Sequence, residues 1–400
     1  MSVKNVESQI KKFLQSTSAE VLCVRGNWGT GKTYNWQSIL QEAATQNSIG
    51  MHNYSYVSLF GLNSLNDLKQ EIIHQTVSVE KIGESFNHKD VQSYVKNAYP
   101  GLLKLGGLAG KFLGENYTST GVAVMYMFVR NRLICIDDLE RKGRGLSSSD
   151  VLGLVSQLRE ERNCKVAILL NDERLEDEDK EDFARYLEKV VDINLRFSPT
   201  PTESAEIALK ALSGSGEVKM LVRERTTKLG IDNVRVIRKI YSFVQQIEPL
   251  LSRYKFDVFE SVVNTIVLMG WCHLQPEFAP SKYFLIHRKG IYDAHVAERD
   301  GENSALEEKW SKILSDYGYA YTDEFDMELL KGIEDGYFTN EIIENHAAEL
   351  EHRVKRNEAA FELSNNWGNF HNSFENDENT HLEIFKRCLT ANAEHYGLGV

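Results

Sequence analysis

The chain is predicted to be an α/β protein in which a parallel sheet flanked by helices is followed by an all-α lid and an all-α C-terminal region. Three observations predict it. Five apolar runs of strand length alternate with helical stretches over the first 200 residues, the order that yields a parallel sheet with crossover helices. A glycine-rich loop, "GNWGTGKT", joins the first of those runs to a helix. From "TPTESAEIALKAL" (200–212) onward the pattern is helical, with no clear strand.

The elements follow in order. Residues 3–14 are amphipathic and charged, a short helix rather than a secretion signal. "EVLCVRG" (20–26) is a largely apolar run ending in glycine, the pattern of a buried parallel strand. "KTYNWQSILQEAATQ" is a helix, and "MHNYSYVSLFG" (51–61) is a second strand, rich in Tyr, Val and Phe. "SLNDLKQEIIHQTV" (64–77) has a serine N-cap and helical spacing. Within 78–130, "AYPGLLKLGGLAGKFLG" and "TGVAVMYMFVRN" are apolar and glycine-bearing. Neither reaches the roughly 18–20 uninterrupted apolar residues of a membrane span. They are expected to form an inserted helical segment, as buried helices or a hairpin, with peripheral membrane contact as the lesser alternative and no integral membrane helix.

"RLICIDDLERKG" (132–143) is a third strand ending in paired acids, and "SSSDVLGLVSQLREER" (147–162) is a capped helix. "CKVAILLND" (164–172) and "VVDINLRF" (190–197) are the fourth and fifth strands. The expected organisation is a core over 1–200 with its insert at 78–130, a helical lid over 201–250 and an acidic helical domain over 251–400.

Charge is unevenly spread. Residues 291–400 hold 9 Lys and Arg against 24 Asp and Glu, a net of −15, whereas the whole chain is −12, leaving about +3 for the rest. Such a tail repels DNA and anionic membrane, so nucleic acid is not the favoured partner. "RYKFDVF" and "YFLIHRKG" are weak hints the other way, more simply read as amphipathic helix. Five scattered cysteines without CxxC pairing point to reduced thiols in a cytoplasmic protein.

The chemistry centres on the loop. Gly26, Asn27, Trp28, Gly29, Thr30, Gly31, Lys32 and Thr33 match GxxxxGK[ST] in full, between an apolar strand and a helix. Its backbone N–H groups turn inward around a β-phosphate, and the helix adds its positive N-terminus. Lys32 is expected to bridge the β- and γ-phosphates and the Thr33 hydroxyl to ligate Mg²⁺, with Tyr34 completing the nucleotide-binding set. About 105 residues on, Asp137 and Asp138 end "LICIDD". There Asp137 is expected to hold Mg²⁺ through water and Asp138 to polarise the attacking water. Asn171, at the end of the next strand, is a candidate for orienting that water or reporting the γ-phosphate.

Glu140 and Arg141 are read equally as a structural ion pair or an intersubunit contact. Arg185 is a candidate for charge stabilisation from a neighbouring subunit. Arg235 and Arg238 lie i,i+3 on one helix, so both can point to one face; an arginine in a helical lid of an oligomeric ATPase reaches back to the γ-phosphate, and Arg235 is the candidate for that role. The bland alternative for this last pair is a solvated helix face. No GxSxG or HExxH occurs, and "WCHLQPEF" lacks a second ligand pair for a metal. No NKxD-like base-reading motif is suitably placed, which favours ATP over GTP.

"GNWGTGKT" with "LICIDDLER" resembles the KAP family of P-loop NTPases, within the wider AAA+/STAND-like group. "ILLNDERL", "YLEKVVDINLRF" and "NVRVIRKI" resemble further segments of that family, with Glu140 where Asp is usual and Val234 in place of a proline. The likeness covers residues 1–245. It implies a P-loop NTPase fold, ATP and Mg²⁺ as cofactors, and a setting in bacterial plasmid or phage conflict.

The expected function is a Mg-ATP-hydrolysing switch or assembly motor, a homo-oligomer coupled to a protein effector through its C-terminal helices. Two alternatives stand beside it: a DNA-associated AAA+ loader or transposition helper, and a low-turnover nucleotide-bound scaffold.

Overall fold

The computed structural model describes residues 3–82, 125–175, 177–287, 304–372 and 378–395. Most of the insert expected over 78–130 therefore lies outside the described residues. Two compact units are formed, one from residues 1–207 with 232–234, the other from 208–231 with 235–400.

The first unit is built on six strands. They are β1 (Val21–Arg25), β2 (Asn53–Ser58), β3 (Thr76–Ser78), β4 (Leu133–Asp137), β5 (Lys165–Leu170) and β6 (Ile193–Arg196). Their order is β3-β2-β4-β5-β1-β6. All neighbours are parallel except β2 and β3. Successive residues of the central strands point to opposite faces, and both faces are covered, which explains their unbroken apolar runs. One face, with Cys23, Ile134, Ile136, Val166 and Ile168, packs against α3 (Leu65–His74), α4 (Ser148–Glu160) and α5 (Asp177–Val190). The other, with Leu22, Val24, Leu133, Cys135 and Leu169, packs against α1 (Val3–Gln15) and α2 (Lys32–Thr45).

Local signals set most boundaries. Ser64 caps α3 by accepting from the Asp67 N–H at 3.2 Å. Ser147 and Asp150 form a reciprocal capping box on α4. One expectation is corrected: the helix read over 64–77 ends at His74, and Thr76–Ser78 joins the sheet as an antiparallel edge strand. Its β-branched Thr76 and Val77 pair with Ser55 and Tyr54, and that tertiary pairing overrides the helical spacing. The sheet is thus mixed rather than wholly parallel.

A buried cation ties α1 to the sheet. Lys165 is fully buried, and its Nζ donates to the Phe13 carbonyl and, at 2.7 Å, to that of Ser16. Glu20 Oε2 lies 3.4 Å away. The lysine thereby satisfies orphan carbonyls at the helix C-terminus, where a positive charge is favoured. Burial lowers its pKa, with Glu20 opposing that shift. Lys165→Met should cost about 2–4 kcal/mol in urea unfolding, because shape is kept while one buried and one part-buried carbonyl lose their donor. A loss below about 0.5 kcal/mol would show that water replaces the ammonium.

The second unit is helical throughout its described residues. Its longer members are α7 (Gly216–Lys228), α8 (Val234–Leu251), α9 (Phe256–Leu274), α12 (Glu324–Asp335), α13 (Asn340–Asn372) and α14 (Glu378–His395). The short α6 (Pro201–Leu209) precedes them, and α10 (Lys282–His287) and α11 (Ser304–Tyr317) lie between α9 and α12. Helix α9 is the central one: it is buried almost all round and packs on α7, α12 and α13. Thr265 donates from α9 to Asp326 of α12 at 2.7 Å. The acidic surface is partly neutralised by pairs such as Arg253–Glu344 at 2.6 Å. No helix among the described residues is long and apolar enough to cross a membrane.

Candidate nucleotide site

The sheet order gathers the loop and the acids at one edge. Strand β5 lies between β1 and β4, so the carboxyl ends of three adjacent parallel strands present Gly26, Asn171 and Asp137 together. Ligands of open α/β sheets bind in the crevice outside those ends.

The loop is shaped by its glycines and by a returning segment. Gly29 has φ +79°, and a Cβ there would fall 2.2 Å from the Asn233 side chain. Gly31 has φ +91° and immediately precedes α2. Both torsions suit glycine. The Val234 N–H donates to the Gly29 carbonyl at 2.8 Å. Thr30 Oγ1 donates to the Asn27 carbonyl at 2.8 Å, and Lys32 Nζ donates to the carbonyls of Gly26 and Asn27 at 2.6 and 3.0 Å. Lys32 is therefore held over the loop it is meant to serve.

The metal-ligating candidates meet. Thr33 Oγ1 donates to Asp137 Oδ2 at 2.7 Å across 104 residues of chain. Tyr56 OH donates to the same oxygen at 2.8 Å, and the Asp138 N–H donates to Oδ1 at 2.8 Å. Asp137 is almost wholly buried. Burial pushes its carboxyl above the usual range and the Asp138 charge adds to that, while the hydroxyls of Thr33 and Tyr56 oppose it. The burial penalty and the oxygen-only donor set fit a hard divalent cation. Mg²⁺ takes one or two protein ligands and fills its shell with water and phosphate oxygens. No group of three or more His, Cys, Asp or Glu among the described residues is placed to hold a metal.

Asp138 adopts a left-handed backbone, φ 60°, a conformation uncommon outside glycine and concentrated at functional sites. Ser58 Oγ donates to its Oδ2 at 2.7 Å, and Arg141 Nη1 lies 3.7 Å from its Oδ1. Asn171 is buried, and its side-chain oxygen accepts from the Glu173 N–H at 3.2 Å, capping a turn. Glu140 has a buried Oε2 with no hydrogen-bond partner among the described residues. Burial raises its pKa, against the backbone N–H groups of Glu140 and Asn171 and the charge of Lys32.

The remaining candidates are placed elsewhere. Trp28 is part-exposed on the loop. Tyr34 lies in the first turn of α2, and Arg185 is exposed on α5. Arg235 is exposed and opens the part of α8 that belongs to the second unit. Arg238 donates to the Ala208 carbonyl at 3.1 Å within that unit.

Tyr56 and Ser58 are additional site residues that the sequence reading does not single out. Their signal lies in register: Ser58 pairs with Asp137 and Tyr56 with Cys135 on adjacent strands, which is invisible until the strand order is known.

The strand order and the glycine-rich loop are those of a P-loop NTPase fold. No family model matches the chain, and no curated protein matches it. Among solved structures it is similar to AMPPCP-bound DnaA from Aquifex aeolicus, at 14% identity over 83% of this chain and 86% of that one, TM-score 0.35. It is also similar to the Aeropyrum pernix ORC1 protein in complex with DNA, at 14% identity over 84% and 83% of the two chains, TM-score 0.36. A third is RuvB from Thermotoga maritima, at 13% identity over 85% and 96%, TM-score 0.33.

Proposed function

We propose that the chain binds and hydrolyses Mg-ATP and acts as a nucleotide-dependent switch. The observation that carries the reading is the 2.7 Å hydrogen bond from Thr33 to Asp137, which joins the phosphate loop to the buried acid of a strand two places away. Lys32 and the loop N–H groups bind the phosphates, and Thr33 and Asp137 hold the cation. Mg²⁺ supplies charge neutralisation for the phosphate oxygens. Asp138 accepts a proton from the attacking water, its carboxylate positioned by Ser58 and Arg141.

A route to the second unit runs along the chain itself. Asn233 and Val234 contact the loop, and Val234 opens α8, whose later residues belong to the second unit. Nucleotide occupancy that shifts Gly29 is thereby felt at the start of that helix. In this reading the acidic helices engage a protein effector, the active form is a homo-oligomer, and the KAP-like motifs point to a role in bacterial defence.

The test is phosphate release together with equilibrium binding of Mg-ATP. Turnover should require Mg²⁺. Affinity should fall as pH drops through the raised pKa of Asp137, because the protonated acid no longer attracts the cation. That loss should begin at a higher pH than for an ordinary carboxylate. Mg-ATP binding unaffected by a chelator would sink the metal assignment.

A further inference from the structure

Three loops at the sheet edge converge on one guanidinium. The Arg141 Cζ lies 4.0 Å from the ring centroid of Phe60, beyond β2, and 5.5 Å from that of Trp28, in the phosphate loop. Its Nη1 is 3.7 Å from Asp138 Oδ1. Both rings are substantially exposed, Trp28 at 46% and Phe60 at 62%, so core packing holds neither completely. A guanidinium stacks on aromatic faces through its plane and donates along its edge, which an ammonium cannot do together.

We infer that Arg141 is a positioning residue that couples Trp28 of the phosphate loop to the carboxylate of Asp138. Ser58 holds one oxygen of that carboxylate and Arg141 faces the other. Arg141 is itself placed by a tight turn, its N–H donating to the Asp138 carbonyl at 2.9 Å. The far side of the loop is fixed by Asn233 and Val234 against Gly29. Movement of the loop on binding phosphate is therefore transmitted on the near side through Trp28 and Arg141. An exposed cation–aromatic contact biases an equilibrium only about twofold to fivefold, too little to hold the fold together. It is enough to set how often a carboxylate is aimed correctly. Bulk at Trp28, which phosphate cradling by backbone does not require, thus acquires a use.

The inference rests on the ATPase reading of the site, and its test separates the two. Kinetics are measured for Arg141→Ala, Arg141→Lys, Trp28→Leu and the Trp28→Leu/Arg141→Ala double variant, each with unchanged circular dichroism. Both Arg141 variants should lower kcat about threefold to fivefold while the Kd for Mg-ATP stays within about twofold. The double variant should be no slower than Arg141→Ala alone, since both changes break one connection. Losses that multiply, or full kcat in Arg141→Lys, would overturn the coupling. If the wild type binds Mg-ATP in a Lys32-dependent way yet shows no turnover, the hydrolytic reading fails instead. The coupling is then read from Trp28 emission, taken as wild type minus Trp28→Phe. A Mg-ATP-induced change lost in Arg141→Lys supports it, and one retained there overturns it.

Discussion

Lys32→Ala is expected to raise the Kd for Mg-ATP about 100-fold or more. The ammonium already sits over the loop, held by the carbonyls of Gly26 and Asn27 at 2.6 and 3.0 Å. Phosphate oxygens offer it charge-assisted hydrogen bonds that neutral carbonyls cannot match. Alanine removes that cation and keeps the helical start of α2, because helix entry depends on Gly31 rather than on the lysine. Isothermal calorimetry with the wild type alongside checks it. Binding within about threefold of wild type would show that the phosphates sit elsewhere.

Asp138→Asn should bind Mg-ATP normally and lower kcat about 100- to 1000-fold. The amide keeps the shape and an acceptor for the Ser58 hydroxyl, which lies 2.7 Å from Oδ2 in the wild type. It loses the basicity needed to take a proton from water. Asp137, the neighbour that faces Thr33, is untouched, so cation binding persists. Single-turnover hydrolysis beside equilibrium binding separates the two effects. Turnover within about threefold of wild type would move the base to another residue, and Glu140, half-buried with a buried Oε2 and near Lys32, would be the next to substitute.

The strands were legible because a strand buried on both faces is apolar along its whole length, as "VLCV", "LICI" and "VAILL" are. The loop was legible because close approach of backbone to phosphate needs glycine at set positions. What was not legible depends on partners far along the chain. Thr76–Ser78 has helical spacing but is drawn into the sheet by β2. Tyr56 and Ser58 look like ordinary strand residues until β4 is placed beside them. Nothing in the sequence marks Lys165, at a strand start, as buried under the end of α1. Asn171 is a candidate from sequence for orienting the water, but that its side-chain oxygen caps a turn is seen only in the structure.

Sequence alone determined the phosphate loop, the paired acids, five of the six strands and the change to a helical pattern near residue 200, because these are written in spacing and residue type over a few neighbours. Only the tertiary structure decided that β5 lies between β1 and β4, which brings Thr33 to Asp137. It also decided that Asn233 and Val234 return to the loop, and that Trp28 and Asp138 share one arginine. The reason is physical. Strand order and loop contacts follow from covering both faces of the sheet with helices, a condition on the whole chain that no local pattern records.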